Sequence, residues 1–188
     1  MTAPMSLGLL VLRVVIGLLF VGHGTQKLFG WFGGHGLEGT GGFMASLGYR
    51  PGKQHALLAG LAEAGGGALF ALGAFTPLAV AAVIGVMVNA IGSAHWDNGL
   101  WVTNGGYEYP LVLCAAAAAV AFVGPGSYSV DRLLQRMDGT WHVWGLGWGL
   151  VGIAVGLCSG MLLLATRERP PTVAAEPAPA DAEHRRAA

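Results

Sequence analysis

Long apolar stretches, separated by glycine-rich or polar connections, organise the chain from residue 7 to residue 165. Crossing the hydrocarbon layer takes roughly 17 to 25 mostly apolar residues. On that measure spans cover residues 7–29, 54–75, 78–95, 107–123 and 144–165. Thr76-Pro77 leaves so tight a turn that the second and third spans must be antiparallel neighbours. The connection 30–53 is long and glycine-rich but carries Trp31, Phe32, Leu37, Phe43, Met44 and Leu47, which predicts a cap or short re-entrant helix over the helix ends. In 127–138, Val130, Leu133, Leu134 and Met137 alternate with charges, a spacing that suits a short helix in the membrane interface. Residues 167–188 are rich in Pro, Ala, Glu and Arg and read as a disordered tail.

Composition agrees with this pattern. Of the 188 residues, 54% are hydrophobic and only 11% charged, where a soluble domain carries about 25%. The predicted fold class is therefore all-α: a polytopic membrane helix bundle with a four-helix core and a fifth transmembrane helix. Its units are a core over 1–140, with the interfacial helix near 127–138, the added helix over 141–166, and the tail 167–188. All six tryptophans fall near span ends, Trp31, Trp96 and Trp101 at one interface and Trp141, Trp144 and Trp148 at the other, as an aromatic belt requires. Met1 to Ser6 carries no Lys or Arg ahead of the first apolar run, so that run reads as a retained helix rather than a cleaved leader. The expected location is the plasma membrane, with the bilayer as the obligatory partner.

Net charge is zero, which gives no electrostatic footing for nucleic acid. Let face X carry the connections 30–53 and 96–106, and face Y the opposite side. Lys and Arg are nearly balanced between the faces unless the tail is counted, so the positive-inside rule leaves the orientation open. Cys114 and Cys158 each sit inside an apolar run with no C-x-x-C, and read as small hydrophobes rather than redox thiols.

Ionisable residues inside spans are costly and mark function or packing. At about 100° per residue, Arg13, His23 and Lys27 share one stripe of the first span with Gly17, Phe20 and Gly24. Glu63 shares a face of the second span with Gly60 and Gly67, and Asn89 lies in the third. Glu63 is expected to serve Arg13, His23 or both near the midplane. A second polar group gathers at face X: His23, Lys27, His35, Glu38, His95, Asp97, Asn98, Asn104 and Glu108. Structural readings stand beside these. Arg13 with Glu63 could be a register-fixing pair, Lys27 a snorkelling interfacial residue, and His95 a span-end residue. No H-E-x-x-H, phosphate loop or Ser–His–Asp signature occurs, so no metal site is assigned.

Over residues 7–134 the chain resembles the DoxX family of small bacterial membrane proteins. The resemblance rests on Leu12-Arg13 with Gly17 and Phe20, Gly22-His23-Gly24 and Lys27-Leu28-Phe29-Gly30. Further on it rests on Phe43, the run Glu63-Ala64-Gly65-Gly66, His95, Asn104-Gly105-Gly106, Glu108-Tyr109-Pro110, Gly124-Pro125-Gly126 and Val130-Asp131. It implies a four-span core and an oxidoreductase subunit near the quinone pool, linked to sulfur, thiol or oxidative-stress chemistry. The fifth span and the tail depart from that core.

On this reading His23 and Glu63 are the catalytic candidates. Arg13, Lys27, Asn89, His95 and Glu108 are the substrate-binding candidates, quinone is the cofactor, and a soluble oxidoreductase or sulfurtransferase supplies the electron carrier. A homo-oligomer is compatible with it. A different reading is a non-catalytic scaffold that anchors such a soluble partner through loops and tail. A small anion permease is a third, and the lack of evident inverted repeats weighs against it.

Overall fold

The computed structural model describes residues 1–168, and the expected disordered tail lies outside them beyond Glu168. The described chain is all-α, with no strand among these residues. Helix α1 (Ala3–Phe29) has Pro4 in its first turn, where a missing N–H costs nothing, and ends on left-handed Gly30 (φ 75°). A 3-10 turn, Trp31–Gly33, leads to α2 (Gly36–Ser46). Helix α3 (Gly52–Leu72) ends on left-handed Gly73, and α4 (Thr76–Ala90) follows after only three residues. The end of α4 widens into a π-turn, Ile91–His95, and then two 3-10 turns, Trp96–Asn98 and Val102–Asn104. Helices α5 (Glu108–Val123), α6 (Val130–Asp138) and α7 (Leu146–Ala165) complete it. Four stretches, Ala3–Phe29, Gly52–Leu72, Thr76–Asn98 and Leu146–Ala165, are long and apolar enough to span a membrane; α5 is apolar but shorter.

Lipid is the solvent for the outer surface. Leu7, Val11, Val15 and Leu18 of α1 and Leu150, Val155 and Leu162 of α7 stand exposed on the outside, an arrangement water would not tolerate over so many neighbouring residues. Between helices, small residues set the contacts, because hydrocarbon tails give no hydrophobic drive to pack. Helices α1 and α3 run antiparallel with backbones touching at Gly17 and Gly67. A Cβ on Gly17 would fall 2.5 Å from the Gly67 carbonyl oxygen, and one on Gly67 2.6 Å from that of Gly17.

The fifth apolar helix joins the bundle through a stripe of Gly149, Gly152, Gly156 and Gly160, all buried. These meet Ala121 of α5, then Pro77, Ala81 and Ile84, and finally Gly85 and Val88 of α4. Contacts that rise together along both helices make α7 parallel to α4. Both therefore run from face Y to face X.

The interior is divided. A core of Ile16, Phe20, Phe70, Ala79, Val80, Val83, Ile84, Leu113, Ala117, Val120 and Ala121 fills the bundle toward face Y. Toward face X the same helices part around a cavity, and α2 lies across its mouth. The amphipathic α6 closes face Y, its N-terminus capped where the Ser129 hydroxyl accepts from the Arg132 N–H (3.2 Å).

Candidate functional site

The cavity measures about 820 Å³. Its walls are chiefly apolar, with Phe20 and Leu113 toward the core, Val86 and Met87 along α4, and Phe43, Met44 and Leu47 beneath α2. Into this surface five of the seven candidate side chains project: His23, Lys27, Glu63, Asn89 and His95. Helix α7 contributes Ser159, Gly160 and Leu163, so the added helix is part of the wall. Neither Cys114 nor Cys158 lines it.

The strongest polar contact in the cavity is an ion pair. The Lys27 ammonium donates to Glu63 Oε2 at 2.6 Å, with Glu63 almost fully buried and Lys27 a quarter exposed. Such a pair cancels charge that neither group could carry alone in a low dielectric. Only one of the three ammonium donors is used there, so others remain for a ligand oxygen. His23, one turn before Lys27 on the same stripe, lies within Coulombic range of Glu63.

Across the cavity, Asn89 donates from Nδ2 to the hydroxyl of fully buried Tyr49 (2.7 Å), and the Tyr49 ring packs on His55 with centroids 5.1 Å apart. This fastens the segment after α2 to α4. His95 ends the π-turn, and its Nδ1 meets the Gly105 carbonyl at 2.7 Å. Insertion of one residue per turn lets a π-turn re-aim a side chain without ending the helix. The turn is braced from just beyond the end of α7, where Arg167 donates to the Gly92 and Ser93 carbonyls at 3.1 and 3.2 Å.

Two candidates sit elsewhere. Arg13 is buried near face Y, 1% exposed, and donates to the Tyr128 carbonyl at 2.6 Å. The expected pairing of Glu63 with Arg13 is therefore corrected: Glu63 pairs with Lys27. That expectation put Glu63 near the midplane and Arg13 about 7 Å toward face Y, on the assumption that each span is centred on its apolar run. The Gly17–Gly67 contact instead sets a register in which Arg13 packs against Gly73, at the far end of α3. Glu108 does not line the cavity either. Its carboxylate accepts from the Val102 N–H at 3.0 Å and so ties the loop 99–107 to the start of α5.

Two important residues, Tyr49 and Gln26, were not singled out from the sequence, and a third, Asp131, entered only as part of the family resemblance. Asp131, fully buried on α6, accepts from the Phe75 N–H (2.8 Å), the Thr76 N–H (2.9 Å), the Thr76 hydroxyl (2.6 Å) and Trp141 Nε1 (3.2 Å). It caps α4 from another helix, and it lies within Coulombic range of Arg13. Periodicity marked it only as one of the charges between the apolar positions of 127–138. Tyr49 carried no pattern at all. Gln26 was marked only by its place three residues after His23, a neighbouring position on a helix surface.

Taken together, these features define a multi-pass helix bundle of the plasma membrane with an internal, apolar-walled cavity holding one ion pair and two imidazoles. The chain belongs to the DoxX family, whose model matches residues 8–96, the stretch from α1 through the π-turn. All five cavity-lining candidates fall within that stretch. Inner membrane protein YphA of Escherichia coli (strain K12) is 31% identical over 129 residues, 66% of this chain and 88% of its own length. Inner membrane protein YqjF of the same strain is 28% identical over 131 residues, 70% of this chain and 95% of its own length. No solved structure matches the chain.

Proposed function

We propose that the protein is the membrane subunit of a quinone-linked oxidoreductase system, connected to sulfur, thiol or oxidative-stress chemistry. The observation that carries this reading is the cavity of about 820 Å³ with apolar walls and a compact polar group, Lys27, Glu63, His23, Asn89 and His95. That volume lies within the range of roughly 300 to 1,000 Å³ usual for small-molecule sites. An isoprenoid quinone is an apolar body with two ring oxygens, and such a wall accepts the body while the polar residues bind the oxygens.

In this reading Lys27 donates to a ligand oxygen and Glu63 holds the ammonium in place. His23 passes protons between ligand and face X, as a positioned imidazole can near neutral pH. Asn89 and His95 contact the ligand at the mouth. Arg13 and Glu108 support the helix ends and the loop instead. A soluble redox or sulfur-transfer partner supplies the electrons.

Purification in mild detergent, followed by extraction and assay of bound quinone and of thiosulfate-dependent quinone reduction, tests the proposal. Co-purifying quinone that is lost in Lys27→Met supports it. Protein that binds no quinone, with Glu63→Gln and His23→Ala both leaving the cellular phenotype intact, refutes it. If deletion of residues 169–188 then abolishes recovery of a soluble partner, the scaffold role replaces it.

A further inference from the structure

We infer that His23 and His95 present bare Nε2 atoms to the cavity as a pair of hydrogen-bond acceptors, and that Gln26 is the positioning residue that sets His23. The inference rests on the reading of the cavity as a quinone-type site and specifies how that site holds the reduced ligand, the product of the reaction.

Hydrogen bonds to groups with fixed roles set the protonation of each ring. A backbone carbonyl can only accept. Gln26 meets the Phe32 carbonyl at 3.2 Å, so the atom there is the amide nitrogen, donating. The other amide atom, Oε1, therefore faces His23 Nδ1 at 3.1 Å. An amide oxygen accepts, so Nδ1 carries the hydrogen, and in a neutral imidazole Nε2 is then left with a lone pair. His95 reaches the same state in one step. Its Nδ1 faces the Gly105 carbonyl at 2.7 Å and must donate. Asn98 Nδ2 donates to the same oxygen at 3.2 Å, which fixes that carbonyl in place. Both rings are thus held in the tautomer opposite to the one that free imidazole side chains favour in water.

The backbone around Phe32 fits a built device. Phe32 adopts φ 53° and ψ 35°, the left-handed region that a residue with a Cβ avoids. Its side chain is 76% exposed and meets the Trp31 ring, itself exposed, edge to face with centroids 6.4 Å apart. What the conformation does is turn the Phe32 carbonyl back onto Gln26. Backbone strain of this kind gathers where function holds it.

Two unprotonated nitrogens in one cavity, beside the Lys27–Glu63 pair, suit a ligand that brings its own hydrogens. The chemical class is a ring bearing O–H groups, the hydroquinone form, each hydroxyl donating to an Nε2.

The test is nitrogen NMR of the full chain, labelled with 15N-histidine in detergent micelles, at a pH where the imidazoles are neutral. The six histidines are resolved with His23→Asn and His95→Asn. His23 and His95 should both give the Nδ1–H pattern. Gln26→Glu, which keeps an acceptor at Nδ1, should leave His23 unchanged. Gln26→Lys, which offers a donor, should move His23 alone to Nε2–H. A purely structural role for Gln26 would not separate these two variants. A wild-type His23 in the Nε2–H form, or a spectrum blind to Gln26→Lys, overturns the inference. Added short-chain hydroquinone, kept reduced, should shift both Nε2 signals. Binding without such a shift overturns the ligand class. Failure of hydroquinone and quinone alike to bind sinks the quinone-linked reading, and the ligand-free spectra report separately on the tautomers.

Discussion

The Lys27–Glu63 pair makes a sharp prediction because its members are unequally buried. Lys27→Met leaves a carboxylate stranded in the interior, and should cost about 3 kcal/mol, as other broken buried pairs do. Glu63→Leu should cost less, since the ammonium is a quarter exposed and can swing toward face X. The double variant Lys27→Met/Glu63→Leu should recover most of the loss. Unfolding titrations of the four proteins in detergent check this, and simple additivity would refute it. Asp131→Ala removes the acceptor for two backbone N–H groups, a hydroxyl and an indole, and should destabilise by about 2–3 kcal/mol. Asp131→Asn should keep part of that. At this scale the sequence was half legible. Helical periodicity placed Arg13, His23 and Lys27 on one stripe, but their depth relative to Glu63 depends on helix register. Register is decided where Gly17 meets Gly67, and no periodicity within one helix contains it.

At the scale of elements, the apolar runs foretold α1, α3, α4, α5 and α7, and the apolar spacing in 127–138 foretold α6. The capping segment α2 was legible too, because Phe43, Met44 and Leu47 are too apolar for an open loop. The π-turn at Ile91–His95 was not, since an extra residue in one turn leaves no mark on composition. Nor did the sequence tell how closely α7 would be held. Its glycine stripe predicts a contrast within one helix. A Cβ on Gly156 would lie 2.8 Å from the Ile84 Cβ, whereas nothing stands within 4 Å of one on Gly147. Gly156→Val should therefore destabilise by about 1–3 kcal/mol through overpacking. Gly147→Ala should be neutral or stabilising by up to about 1 kcal/mol, from helix propensity. Thermal aggregation curves of the two variants in the same detergent distinguish them.

Across the whole molecule, the direction of each helix places α2 and the His95 loop on face X and α6 on face Y. In a Cys114→Ser/Cys158→Ser background, Glu38→Cys and Met137→Cys should therefore react with a membrane-impermeant maleimide from opposite sides of sealed vesicles. Labelling of both from one side would refute the topology. The fold class was legible throughout, because a bilayer admits so few solutions for an apolar chain. The site was legible as a list of residues but not as a cavity. Empty space belongs to no residue, and here it is enclosed between helices from separate segments of the chain.

That division between a filled half and a hollow half also bears on how such a protein can change over generations. Substitutions among Val80, Val83, Val120 and their neighbours disturb close packing and are punished through stability. Substitutions at Phe43, Met44 or Leu47 border open space, so they alter the shape of the chamber while the folded bundle stands. Selection can then act on ligand choice and on foldedness separately, using different ends of the same helices. A scaffold partitioned in this way can be retuned to a new guest without first being rebuilt.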